Sequence, residues 1–216
     1  MFLVKISSSV APHIYLEASE SNLEFFRKTN SALAKIQSKR SGQSLLDGLR
    51  PYARSGKTVT IYASEVDATS ALLTADQARA RGIDCDNLVE SNNIAVKLAK
   101  RRDESRANEG VRALVQWNPD AGLRIDERGA PYLEIPSEVA YIALAHELVH
   151  AKYIIEGNYF GYDGDPLDPD SDSFREEQRA VGIGEFSYTI PSENSIRAEH
   201  SQPIRSRYRS GTPEPK

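Results

Sequence analysis

Residues 141–153 read YIALAHELVHAKY, and the fold of the whole chain turns on what this stretch becomes. Val139, Ala140, Ile142, Ala143, Leu144 and Ala145 are apolar on nearly every side, the pattern of a helix buried between other elements. On that helix His146 and His150 stand one turn apart and about 40° apart around the axis, so both imidazoles can reach one ion. Glu147 points about 100° away from His146, outside the ligand sphere but near enough to handle a proton on a metal-bound water. Left unpaired at the end of a buried helix, these three groups would cost several kcal/mol. A metal removes that cost. Satisfaction by backbone and water is the plainer alternative, but packing gives no reason for three such groups at ligand spacing.

Together the three residues spell HExxH, the pattern of zinc proteases. With 216 residues and 39% hydrophobic content, the chain can build one domain with a real core. The expected division is a flexible leader over 1–18 that could carry a secretion signal, a protease domain over 19–208 and a disordered tail over 209–216. A formal charge of -4 offers no basic field, so no nucleic-acid partner is expected. The lone Cys85 can form neither an internal disulfide nor a cysteine metal site, which fits a reducing compartment. No apolar run is long enough for a membrane helix, and Lys5 interrupts the first residues before a secretory core could form.

Outward from the motif, Pro136, Ser137 and Glu138 start the helix and Gly157 stops it. Upstream, 123–127 and 131–135 are set to pair around Arg128 and Gly129, with the strand before the metal helix forming an edge of the cleft that could take an extended substrate. Further strands are expected over 58–63 and 111–117, and helices over 19–40, broken at Ser41 and Gly42, over 44–49 and over 74–81. The basic cluster Lys97, Lys100, Arg101 and Arg102 reads as a solvated helix face. Downstream lies an acidic loop over 158–173. Counted as a calcium loop from Asp168, it has Ser173 where glycine is required and Arg179 where glutamate is required, so it reads instead as a solvated cleft rim. Amphipathic helices follow over 174–181 and, capped by Ser192, to His200. The fold expected is α+β, a zincin-like domain with a mixed sheet beside the metal helix.

A catalytic zinc of this kind needs a third protein ligand and an open position. The extended motif HExxHxxGxxH fails, because Tyr153 and Glu156 stand where glycine and histidine would be. Glu156 itself lies on the far side of the helix. A carboxylate from a second helix remains. Glu177 is favoured, since Phe174, Ala180 and Val181 give that helix an apolar side and small Ala180 permits close approach. Glu176 competes with it, and whichever is not the ligand could accept a hydrogen bond from a ligand histidine. His200 is a third candidate.

The blocks HELVH, EEQRAVG, SENSIRAE and PIRSRY, in that order, resemble the NleD-type zinc metalloproteases, a group with HopH-like members delivered into host cells by bacterial type III secretion. The same core is similar to the light chain of clostridial neurotoxins. There the second glutamate of a Glu-Glu pair binds zinc, which implies Glu177 here, and an Arg-x-x-Tyr pair near the oxyanion implies the same role for Arg205 and Tyr208. The resemblance implies a monomeric, secreted bacterial endopeptidase acting in the host cytoplasm, with one Zn2+ per chain and a host protein substrate such as a MAP kinase cut in its activation loop. Its rival is a binding protein in which zinc only stabilises a fold that masks a host partner. A small-molecule hydrolase is a third reading, disfavoured by the strand expected beside the cleft.

Overall fold

Strand β5 (Arg112–Trp117) sits next to the edge of a five-stranded sheet whose order is β1-β2-β3-β5-β4. The other strands are β1 (Leu3–Ser7), β2 (Ile14–Ser19), β3 (Val59–Ala63) and β4 (Ala68–Leu72). β2, β3 and β5 run parallel, while β1 and β4 pair antiparallel at the two edges, so the sheet is mixed as the sequence predicts. The computed structural model describes residues 2–84 and 87–209. Cys85, and the predicted tail beyond Arg209, lie outside the described residues.

Helices α1 (Leu23–Gln37), α2 (Arg40–Leu49), α3 (Ala75–Arg79), α4 (Leu88–Ala99), α5 (Ala140–Glu156), α6 (Asp172–Val181) and α7 (Glu193–Glu199) complete the α+β fold. A separate two-stranded hairpin, β6 (Gly122–Ile125) and β7 (Pro131–Glu134), precedes α5. α5 is the central element: it contacts β4, β5, β6, α1, α2, α4, α6 and α7. Ile142, Leu144, Ala145, Leu148, Val149 and Ile154 are fully buried on it, as an all-round apolar helix requires. The buried Trp117 donates its indole N–H to the Ala140 carbonyl at 3.1 Å, tying β5 to the first turn of α5. At the far end Gly157 takes the left-handed conformation (φ 69°) and closes the helix. A Cβ there would meet the Asn108 carbonyl at 2.3 Å, so the close crossing also requires glycine.

Two features depart from the sequence reading. The stretch expected as a flexible leader forms β1 and β2, and the alternate residues Ile14, Leu16 and Ala18 of β2 are buried in the core. The break expected at Ser41 and Gly42 falls earlier, at Ser38 and Lys39. Gly42 lies inside α2, where a Cβ would strike the Ile36 carbonyl at 1.9 Å, so this glycine serves helix crossing rather than helix termination. The strands expected over 123–127 and 131–135 do pair, as β6 and β7, in a hairpin outside the main sheet, and the sheet edge that packs on α5 is β4.

Candidate metal centre

α5 and α6 cross so that three side-chain atoms from His146, His150 and Glu177 converge within 4.8 Å of one another, the one such cluster of His, Cys, Asp or Glu among the described residues. Small, fully buried Ala180, one turn beyond Glu176, leaves room for the approach. The two Nε2 atoms lie 3.1 Å apart, and Glu177 Oε2 is 3.2 Å from that of His146 and 3.5 Å from that of His150. Glu177 Oε2 is buried without a well-formed hydrogen bond. A tetrahedral divalent metal with bonds of about 2.0–2.2 Å holds its donor atoms roughly 3.3–3.6 Å apart, so the triangle has the dimensions of a ligand set.

Proton placement supports the same conclusion. His146 Nδ1 is 2.9 Å from Glu193 Oε2, and His150 Nδ1 is 3.1 Å from Glu176 Oε1. Each carboxylate is placed to accept the Nδ1 proton, so that in the neutral rings both Nε2 lone pairs face each other and the Glu177 oxygen. Positive charge, brought by protons or by a metal ion, removes that repulsion. Glu176 in turn accepts the Phe160 amide at 3.1 Å and a charged hydrogen bond from Arg179, whose guanidinium also donates to the Asn158 carbonyl and stacks over Tyr153 and Phe160. Glu193 is held between Arg197 at 2.7 Å and Arg205 at 2.6 Å.

The charges follow from these contacts. Burial favours the neutral His146 imidazole, but the carboxylates of Glu177 and Glu193 outweigh it and hold its pKa at about 9. For His150 burial likewise opposes charge, and the charge of Glu177 with the hydrogen bond to Glu176 again prevails, well above the usual imidazole value. Burial raises and the two histidines lower the Glu177 carboxyl, with a net fall far below the ordinary carboxylate range. Burial also opposes ionisation of Glu193, yet Arg205 and Arg197 keep it ionised. The site is built to hold positive charge.

Glu147 stands beside the triangle with its carboxylate bonded by the Thr69 hydroxyl of β4 at 2.7 Å. A cleft of about 410 Å³ opens over His146 and Glu147. Leu123, Pro131, Tyr132 and Leu133 of the β6–β7 hairpin line one part of it, and Asp67 and Tyr208 also face it. Asp67 is pushed up to about 6, chiefly by burial, with the Asn118 amide lowering it and the Glu147 charge raising it. Tyr208 is pushed up to about 12, again mainly by burial and then by the charge of Glu177. The Arg205 guanidinium faces the cleft too but is engaged by Glu193 and by the Arg207 and Tyr208 carbonyls.

Of the sequence-predicted residues, then, His146, His150 and Glu177 come together, Glu147 adjoins them, Glu176 lies behind His150, and Tyr208 lies across the cleft. His200 is elsewhere, its ring packed edge-on to Tyr141 at 5.2 Å. In the acidic loop Asp163 and Asp172 both pair with Lys100 at 2.7 Å, and Asp165 and Asp168 accept turn amides, which accounts for them without a calcium ion. Sequence reasoning misses Glu193, Thr69 and Asp67. The SENSIRAE block contains Glu193, and its spacing of four from Arg197 is the available signal.

A family model described as Peptidase_M91, effector protein, matches residues 13–208. No curated protein matches the chain.

Proposed function

This chain belongs to the Peptidase_M91 effector-protein family, and from that membership and the centre on α5 and α6 we infer that it is a zinc-dependent endopeptidase acting on a host protein. One observation carries the reading: three neutral or anionic donors at ligand spacing, with an additional carboxylate beside them at the foot of an open cleft. His146, His150 and Glu177 would hold the metal. Zinc, when bound there, supplies Lewis acidity and makes a water ligand acidic enough to ionise near neutral pH.

The protein's own groups do the rest. Glu193 and Glu176 fix the tautomer and ring orientation of the two histidines. Glu147 takes the proton of the attacking water and returns it to the leaving amine. Tyr208 is our donor to the oxyanion that develops at the scissile carbonyl. Arg205, expected beside it in that role, spends its guanidinium on Glu193 and on neighbouring carbonyls, and we assign it to hold residues 204–208 and the Glu193 carboxylate in place. The exposed Tyr132 and Leu133 on β7 give an extended substrate an apolar wall. The chain acts as a monomer after delivery into the host cytoplasm, and a MAP kinase activation loop is the first substrate to test.

Incubation of the protein with host-cell extract, followed by mapping of new N-termini, tests the reading. Cleavage by the parent that a chelator abolishes and zinc restores is expected, with Glu147→Gln keeping its zinc and losing at least about a thousandfold in rate. A Glu147→Gln protein as active as the parent would contradict the role of the base.

A further inference from the structure

We propose that Thr69 is a positioning residue for the base, and that β4 is therefore part of the catalytic machinery as well as the edge of the sheet. This rests on the endopeptidase reading above. Thr69 is buried, at 8% exposure, and sits on the strand that packs against α5. Its hydroxyl lies 2.7 Å from Glu147 Oε2 and 3.0 Å from the Glu147 carbonyl, so one proton is shared between the side chain and backbone of a single residue. A threonine in a strand has few χ1 choices, and antiparallel pairing of Thr69 with Val115 fixes its backbone. The hydroxyl is therefore a rigid reference point on the main sheet.

A hydroxyl donor so placed does two things. It holds the Glu147 side chain in one rotamer, and it occupies Oε2, which leaves Oε1 as the oxygen available to a water in the cleft. Without it the carboxylate can rotate, and the fraction of time spent in reach of the water falls. On its other side the Thr69 carbonyl accepts a hydrogen bond from the Tyr162 hydroxyl at 2.6 Å. The loop between α5 and α6 thus braces the strand that braces the base. The contact gives this loop a role that its aspartates, paired with Lys100 or with turn amides, do not.

The test is a set of variants assayed on a peptide spanning a bond that the parent cleaves. Thr69→Val keeps the shape and removes the donor, Thr69→Ala removes the donor without adding a methyl, and Thr69→Ser keeps the donor. Both donor-less variants should lose about 10–100-fold in kcat with KM within about twofold and zinc content as in the parent. Thr69→Ser should recover to within about threefold, and adding Thr69→Val to Glu147→Gln should cost nothing further. Full kcat in Thr69→Val and Thr69→Ala, or equal losses in the serine and valine variants, overturns the proposal while leaving the protease reading intact. Undiminished cleavage by Glu147→Gln refutes the role of the base itself and the proposal with it.

Discussion

The two histidines proposed to bind zinc are supported in the same way by different parts of the chain. Behind His150 stands Glu176, held by Arg179 one turn along the same helix. Behind His146 stands Glu193, held by Arg197 on α7 and by Arg205 from the segment that follows it. The first support is local to α6. The second joins α5, α7 and residues 204–208, and through Arg197 it reaches the Leu123 carbonyl of β6 at 2.8 Å. Identical chemistry therefore has unequal consequences: loosening the Glu176 side disturbs one ligand, whereas loosening the Glu193 side disturbs a ligand, the cleft wall and the seat of Tyr208 together.

The largest effect should come from Glu193→Ala. It leaves two buried guanidiniums without their counter-charge, which costs about 3–5 kcal/mol, and it should weaken zinc binding by about 10–100-fold. Thermal unfolding and zinc titration read both. Glu176→Ala should cost less, about 1–3 kcal/mol, because Arg179 keeps the Asn158 carbonyl and two aromatic faces, and zinc affinity should fall about tenfold. Equal losses in the two variants would break the contrast. A sharper version compares peptide KM at saturating zinc, which should rise in Glu193→Ala and stay near the parent in Glu176→Ala.

The smallest effect concerns a carboxyl that burial and the Glu147 charge push the other way. Asp67 titrates at about 6 against an ordinary value of 3.8, so the folded state keeps its proton after the unfolded chain has lost it. Stability therefore falls as pH rises between about 4 and 6, and the deficit persists above that window. Asp67→Asn, which retains an acceptor for the Asn118 amide, should raise stability at pH 7 by about 1 kcal/mol after allowance for solvent screening and change little at pH 4. The same gain at both pH values would show that the effect is not ionisation.

These inequalities also explain what could be read from the sequence. His146, Glu147 and His150 lie within one turn of one helix, so spacing alone displays their chemistry. The convergence of Glu177 on the two histidines is legible once a second helix is required, and its neighbour Glu176 supplies the carboxylate behind His150. Glu193 is hidden because an acid in the first turn of a helix is already favoured by the helix dipole, and because its partner His146 is 47 residues away. β4 escapes notice for a related reason. Its sequence ATSAL is small and weakly patterned, and pairing with β5 rather than its own propensity makes it a strand. Its Thr69 is consequently invisible until the sheet is assembled. The N-terminal strands divide likewise: β2 carries the alternation Ile14, Leu16, Ala18 that marks a half-buried strand, while β1, an edge with mostly exposed residues, carries none.

X-ray absorption at the zinc edge of the loaded protein, with Glu177→Ala measured beside it, bears most directly on the whole. Two imidazole nitrogens, one carboxylate and one exchangeable water at about 2.0–2.2 Å are expected, with loss of the carboxylate in the variant. A fourth protein ligand in place of the water, or a coordination shell unchanged by Glu177→Ala, would contradict an open catalytic centre between α5 and α6.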